Sequence, residues 1–83
     1  VEALDRAAAI LVVDDDGDVR RLLADQLSML GARAEAASDG PSALAALGRA
    51  RPDLLLVDYA MPGMTGADLA REARRLWPGL PVV

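Results

Sequence analysis

The chain has 83 residues and a formal net charge of −4, with no Cys, no His and nine basic residues, every one of them Arg. That length holds one domain at most, and without Cys or His there is no disulfide framework, thiolate metal site or imidazole chemistry, so any metal is held by oxygen. There is no basic cluster to meet phosphates, no apolar run near the roughly 18 residues of a membrane span and no signal-peptide layout, so a cytoplasmic setting is expected, with no nucleic acid or membrane bound through this segment.

In chain order, residues 1–7 mix Glu2, Asp5 and Arg6 with alanine without periodicity and read as an N-terminal extension to a domain over 8–83. Ala8 to Val13 is an unbroken apolar run, the mark of a buried strand, and it stops at Asp14-Asp15-Asp16-Gly17-Asp18. Val19, Leu22, Leu23, Leu27 and Leu30 then follow helical spacing, with Asp18 as the expected N-cap and Gly31 at the C′ position. Ala32 to Ala37 is weakly apolar and alternates with Arg33 and Glu35, which suits an edge strand. Asp39-Gly40-Pro41 opens a second helix with Pro at its first position and Leu44 and Leu47 inward, and Arg51-Pro52 closes it.

Leu54-Leu55-Leu56-Val57 runs straight into Asp58, and the chain then turns through Pro62 and Gly63. Such a run predicts a strand buried on both faces, with Asp58 at its C-terminal tip. Thr65-Gly66-Ala67-Asp68 has the spacing of a capping box, and Leu69, Ala73 and Leu76 give the third helix its buried stripe. Trp77-Pro78-Gly79 ends that helix, and Leu80 to Val83 begins a fourth apolar run. With Phe absent, Leu, Val and Ile must supply a thin core.

Strands and helices alternate through short connections, which predicts parallel strands joined by right-handed crossovers. With the first strand central, the second on one side and the third on the other, Asp14, Asp15 and Asp58 meet outside the carboxyl ends of the strands, where open α/β sheets bind ligands. Three carboxylates in one crevice repel one another, and a hard cation such as Mg²⁺, which takes oxygen ligands, offsets that repulsion. Plainer readings compete. Asp14 to Asp16 also suit a helix N-terminus, and Asp58 alone suits a turn or cap. Met61 and Met64 fit packing, Trp77 the edge of the core, and Arg71, Arg74 and Arg75 a solvated helix face. An EF-hand loop is excluded, because its sixth position falls on Val19 where Gly is needed.

Ile10-Leu11-Val12-Val13-Asp14-Asp15-Asp16, then Asp58 at the end of a Leu-Leu-Leu-Val strand, then Met61-Pro62-Gly63-Met64-Thr65-Gly66, resembles the receiver domain of two-component response regulators. Asp39-Gly40 and Leu80-Pro81-Val82-Val83 match as well, so the likeness runs through essentially the whole chain. It implies a flavodoxin-like (CheY-like) doubly wound parallel α/β sheet, truncated after the fourth strand, with the fourth helix onward absent from this sequence. It also implies that Asp58 is the phosphoacceptor, taking a phosphoryl group from a sensor histidine kinase or phosphotransfer protein to switch signalling. Mg²⁺ would be ligated by Asp15, Asp58 and the backbone carbonyl of Ala60, with Asp14 holding a metal-bound water, while Asp16 has no direct role. Such a domain is not an enzyme in the usual sense and catalyses at most its own phosphorylation and dephosphorylation. Thr65 stands where the family more often has Asp and serves as a cap equally well. Small Ala60 leaves room for water, so hydrolysis of a phosphorylated Asp58 is expected to be unhindered.

The family also has a Ser or Thr after the fourth strand and a Lys after the fifth, and this sequence contains no Lys. Lacking a fifth strand, the fourth becomes an apolar edge, and self-association through it is expected. A second resemblance, to haloacid-dehalogenase-like phosphohydrolases, rests on the apolar run before Asp14-x-Asp16-Gly17 and would make Asp14 the nucleophile. It leaves the turn after Asp58 without a purpose. A third reading keeps the receiver-like fold as an interaction module without phosphorylation.

Overall fold

A computed structural model of the protein describes residues 7–83, so the extension read over 1–7 lies outside the described residues except for Ala7. The elements alternate as β1 (Ala9–Val13), α1 (Gly17–Met29), β2 (Arg33–Ala37), α2 (Gly40–Arg49), β3 (Leu54–Val57) and α3 (Gly66–Leu76). β1 is the middle strand, with β2 and β3 parallel to it on either side. Leu80 to Val83 lies along the far edge of β3. There Leu55 and Val82 form a parallel bridge, the Leu55 amide donates to Pro81 at 3.0 Å, and the Val83 amide donates to Leu55 at 2.9 Å. The strand order expected of a flavodoxin-like sheet is thus followed to the last residue.

β1 is apolar throughout because both of its faces are covered. Leu11 and Val13 join Leu55 and Val57 in a core closed by Leu47 of α2 and Leu69 of α3, while Ile10 and Val12, also buried, point to the face that α1 crosses. Leu47, Leu55 and Leu69 are the largest fully buried side chains, each contributing about 1.5–3 kcal/mol by leaving water. Trp77 sits at the edge of this core, where its indole Nε1 donates to the Leu47 carbonyl at 2.8 Å. That bond satisfies a carbonyl in the last turn of α2 which the helix itself leaves free. Met61 is buried as packing and Met64 is half-buried.

Helix ends follow local chemistry. Asp39 caps α2 through the Ser42 amide (2.8 Å), with Pro41 in the first turn. Thr65 and Asp68 form the reciprocal capping box of α3. Gly31 takes φ +94°, the left-handed conformation that ends α1.

Four points differ from the sequence reading. α1 is capped by Asp16, not Asp18, because the Asp16 backbone is extended and its carboxylate accepts from the amides of both Asp18 and Val19. The α1 stripe is apolar, yet no residue of the helix is fully buried: Leu22 is 56% and Leu30 83% exposed. β3 is fully buried on one face only, with Leu54 and Leu56 half-buried, because α1 packs over β1 and β2 and no other described helix covers that side of the sheet. On α3 the stripe is Leu69, Ala70 and Ala73, while Leu76 in the last turn is 48% exposed.

Candidate functional site

The site follows from register. Val13 pairs with Ala37 on one side and Val57 on the other, so Asp14 and Asp58, each one residue further on, emerge side by side at the carboxyl ends of adjacent parallel strands. The ladder extends one step past the strands: the Asp14 amide donates to Ala37 at 3.2 Å and the Asp58 amide to Val13 at 2.9 Å. Both acids therefore stand on rigid backbone.

Asp14, Asp15 and Asp58 each offer a carboxylate oxygen, and these three oxygens lie within 4.8 Å of one another. Asp14 and Asp58 are half-buried and Asp15 is exposed. Asp14 Oδ1 accepts from the Asp16 amide and Asp58 Oδ1 from the Ala60 amide, both at 2.9 Å, so one oxygen of each is already oriented by its own loop. No ion pair among the described residues reaches any of the three. The cluster borders a cavity of about 520 Å³ whose lining includes the three acids, Ala60, Val19, Leu23 and Leu56. Close carboxylates that pair with no basic side chain among the described residues, and that offer only hard oxygen donors, suit a divalent cation of the Mg²⁺ type.

Sequence reasoning named all three acids and Ala60. It missed two supports. Gly66, at the start of α3, packs on the site loop: a Cβ there would stand 2.6 Å from the Tyr59 Cα and 2.8 Å from the Asp58 carbonyl oxygen. Arg20 reaches back from α1, its Nη1 donating to the Asp14 carbonyl at 2.8 Å. The one signal for Gly66 was a glycine in a helical first turn, where a better helix former would otherwise be favoured. Arg20 gave none, since one Arg on an amphipathic helix is usually solvated. Arg71 and Arg75 are indeed solvated, pairing with Asp68 and Glu72 on their own helix.

Compared with known proteins, residues 10–83 match the family model of the response regulator receiver domain. The chain belongs to the response regulator receiver domain family. Among related receiver-containing proteins, sensor histidine kinase RcsC of Escherichia coli is 47% identical over 74 residues, which is 89% of this chain and 8% of that protein. Response regulator MprA of Mycobacterium leprae is 42% identical over the same length, 89% of this chain and 32% of that protein. The chain therefore spans a small part of either relative. The chemotaxis protein CheY4 of Vibrio cholerae superposes with a TM-score of 0.87 at 33% identity, covering 92% of this chain and 65% of that one. The response regulator TrrA of Thermotoga maritima, solved in complex with Mg²⁺ and BeF, gives 0.85 at 33% identity over 90% of this chain and 65% of that one. The fold is that of a CheY-like receiver domain, with the acids at the strand ends. Among the described residues no helix is long and apolar enough to cross a membrane.

Proposed function

We propose that this receiver domain accepts a phosphoryl group on Asp58, with Mg²⁺ bound beside it, from a sensor histidine kinase or phosphotransfer protein in the cytoplasm. The observation that carries the reading is the meeting of Asp14, Asp15 and Asp58 within 4.8 Å at the strand ends of a chain that matches the receiver family over residues 10–83. The domain is taken to span 8–83.

The donor set fits the ion, and the complex of the related TrrA with Mg²⁺ and BeF supports the assignment. Asp15, Asp58 and the Ala60 carbonyl would hold the ion, and Asp14 would hold it through water. When bound, Mg²⁺ supplies positive charge against the phosphoryl oxygens. The remaining work falls to the chain. The Ala60 amide on Asp58 Oδ1 sets the carboxylate plane and leaves Oδ2 without a hydrogen bond among the described residues. A carboxylate oxygen bonds to phosphorus as the phosphorus–nitrogen bond of the donor histidine breaks, and the electron pair leaves with the imidazole. The rigid ladder beneath Asp14 and Asp58 keeps attacker and neighbours aligned during transfer.

One detail weighs against the phosphohydrolase reading. It needs Asp16 as an acid/base, and Asp16 Oδ1 is committed to the Asp18 and Val19 amides as the cap of α1. Incubation with acetyl phosphate, followed by intact mass, tests the proposal: a phosphorylated species is expected with Mg²⁺ and not in EDTA. Equal uptake in EDTA would contradict the role given to the metal, and no uptake in either condition would contradict the function.

A further inference from the structure

The loop that carries two of the three acids is held by a side chain outside the acidic cluster. Between β1 and α1 the chain passes through Asp14, Asp15 and Asp16, with a bend at Asp15. The Asp16 amide donates to Asp14 Oδ1, and Asp16 Oδ1 in turn accepts from the Asp18 and Val19 amides. These bonds orient Asp14 and Asp16. They do nothing for Asp15, which is exposed and whose carboxylate accepts no hydrogen bond among the described residues.

Asp15 is placed by its backbone, and the peptide that sets its direction is the one joining it to Asp14. The carbonyl of that peptide is the acceptor for Arg20 Nη1 at 2.8 Å. The Arg20 side chain is partly buried, and its other terminal nitrogen rests 3.5 Å from where a Cβ on Gly17 would stand, so the guanidinium lies folded over the start of α1. A guanidinium bonded to the backbone of an acidic cluster has carboxylates as the stronger alternative acceptors. Arg20 forms no ion pair among the described residues and spends its donor on a neutral carbonyl instead. It thereby fixes the loop while leaving the carboxylate oxygens open to an incoming cation.

We infer that Arg20 is a positioning residue for the cation site: its bond to the Asp14 carbonyl sets the Asp14–Asp15 peptide so that the Asp15 carboxylate faces Asp58. This rests on the Mg²⁺ reading above and adds to it a residue that touches neither the ion nor the phosphoryl group. Groups that orient ligands from behind typically change metal affinity 10- to 100-fold when removed.

The test is Mg²⁺ titration by calorimetry of the purified protein and of Arg20→Met, Arg20→Lys and Arg21→Ala, with thermal melts of each. Arg20→Met keeps the aliphatic stem over Gly17 and removes the donor. It is expected to weaken Mg²⁺ binding about tenfold while still melting cooperatively, with Arg20→Lys recovering part of the loss because an ammonium can reach the same carbonyl. Arg21, 76% exposed and one residue along, removes an equal charge without touching the loop, so Arg21→Ala is expected to bind as the parent does. Arg20→Met binding within twofold of the parent would overturn the inference, as would an equal loss in Arg21→Ala, which would reduce the effect to net charge. Unfolding of both Arg20 variants would assign the residue to fold maintenance and overturn it as well. Failure of the parent itself to bind Mg²⁺ is a separate result: it removes the function proposed above and the inference with it.

Discussion

Gly66 lies flat against the backbone of Asp58, so close that a Cβ on Gly66 would stand 2.8 Å from the Asp58 carbonyl oxygen. The start of α3 is thus in contact with the residue proposed to receive the phosphoryl group. Gly66→Ala must push that loop aside, at a cost of about 1–3 kcal/mol for forced overpacking. Urea denaturation is expected to show that loss, and acetyl phosphate uptake to slow with it. A variant with parent stability and parent uptake would mean that the loop yields freely and that the contact positions nothing.

Trp77 ties α3 to α2 through its indole bond to the Leu47 carbonyl. Trp77→Phe keeps most of the apolar contact and removes the donor, with an expected loss of about 1 kcal/mol. Leu47→Ala, at a fully buried position, is expected to cost about 2–5 kcal/mol. Far-UV circular dichroism during denaturation measures both. Equal losses would show that the indole bond matters more than its chemistry allows.

Two helix caps make stability depend on acidity. The Asp39 carboxyl is held below its ordinary value of 3.8 by the Ser42 amide and then by the Ser42 hydroxyl. Asp68 is lowered by the Thr65 amide, then by the Arg71 guanidinium and the Thr65 hydroxyl. Folding lowers both values, so the ionised carboxylates favour the folded state. Their contribution is complete above the ordinary value and is lost as the pH falls through the depressed one. The melting midpoint is expected to hold down to about pH 5 and to decline below about 4. Asp39→Asn with Asp68→Asn keeps acceptors and removes the titration, so part of the acid-induced decline should disappear. An identical decline in the double variant would trace it to other acids.

Ala60 lines the cavity together with Asp58 and is itself exposed. Its single methyl leaves water a path to a phosphorylated Asp58, so the parent is expected to lose phosphate without special delay. Ala60→Leu should lengthen the lifetime of the phosphorylated state, measured by intact mass after removal of the donor. A parent lifetime of many hours, or no change in the variant, would contradict this account of access.

The topology was legible because unbroken apolar runs and short connections leave few arrangements, and that topology alone brought Asp14, Asp15 and Asp58 together. The cap of α1 was less so: Asp16 and Asp18 are chemically equivalent candidates two residues apart, and only the extended backbone of Asp16 chooses between them. The spacing of Val19, Leu22 and Leu30 showed which face of α1 is apolar, yet periodicity carries no information on whether anything lies over that face. Leu54 and Leu56 went astray for the same reason. Leu76 fits the stripe of α3 by spacing, but the last turn runs past the core that buries Leu69 and Ala73. Gly66 and Arg20 act across gaps in sequence on backbone atoms of other segments, and no local pattern encodes such contacts.

The most direct test of the central claim is to locate the phosphoryl group. Asp58→Asn and Asp14→Asn are incubated with acetyl phosphate and Mg²⁺ beside the parent, and uptake is followed by intact mass and peptide mapping. The account predicts a phosphorylated parent with the modification on Asp58, none in Asp58→Asn, and reduced uptake still directed to Asp58 in Asp14→Asn. Phosphorylation that survives Asp58→Asn, or that maps to Asp14, would contradict it.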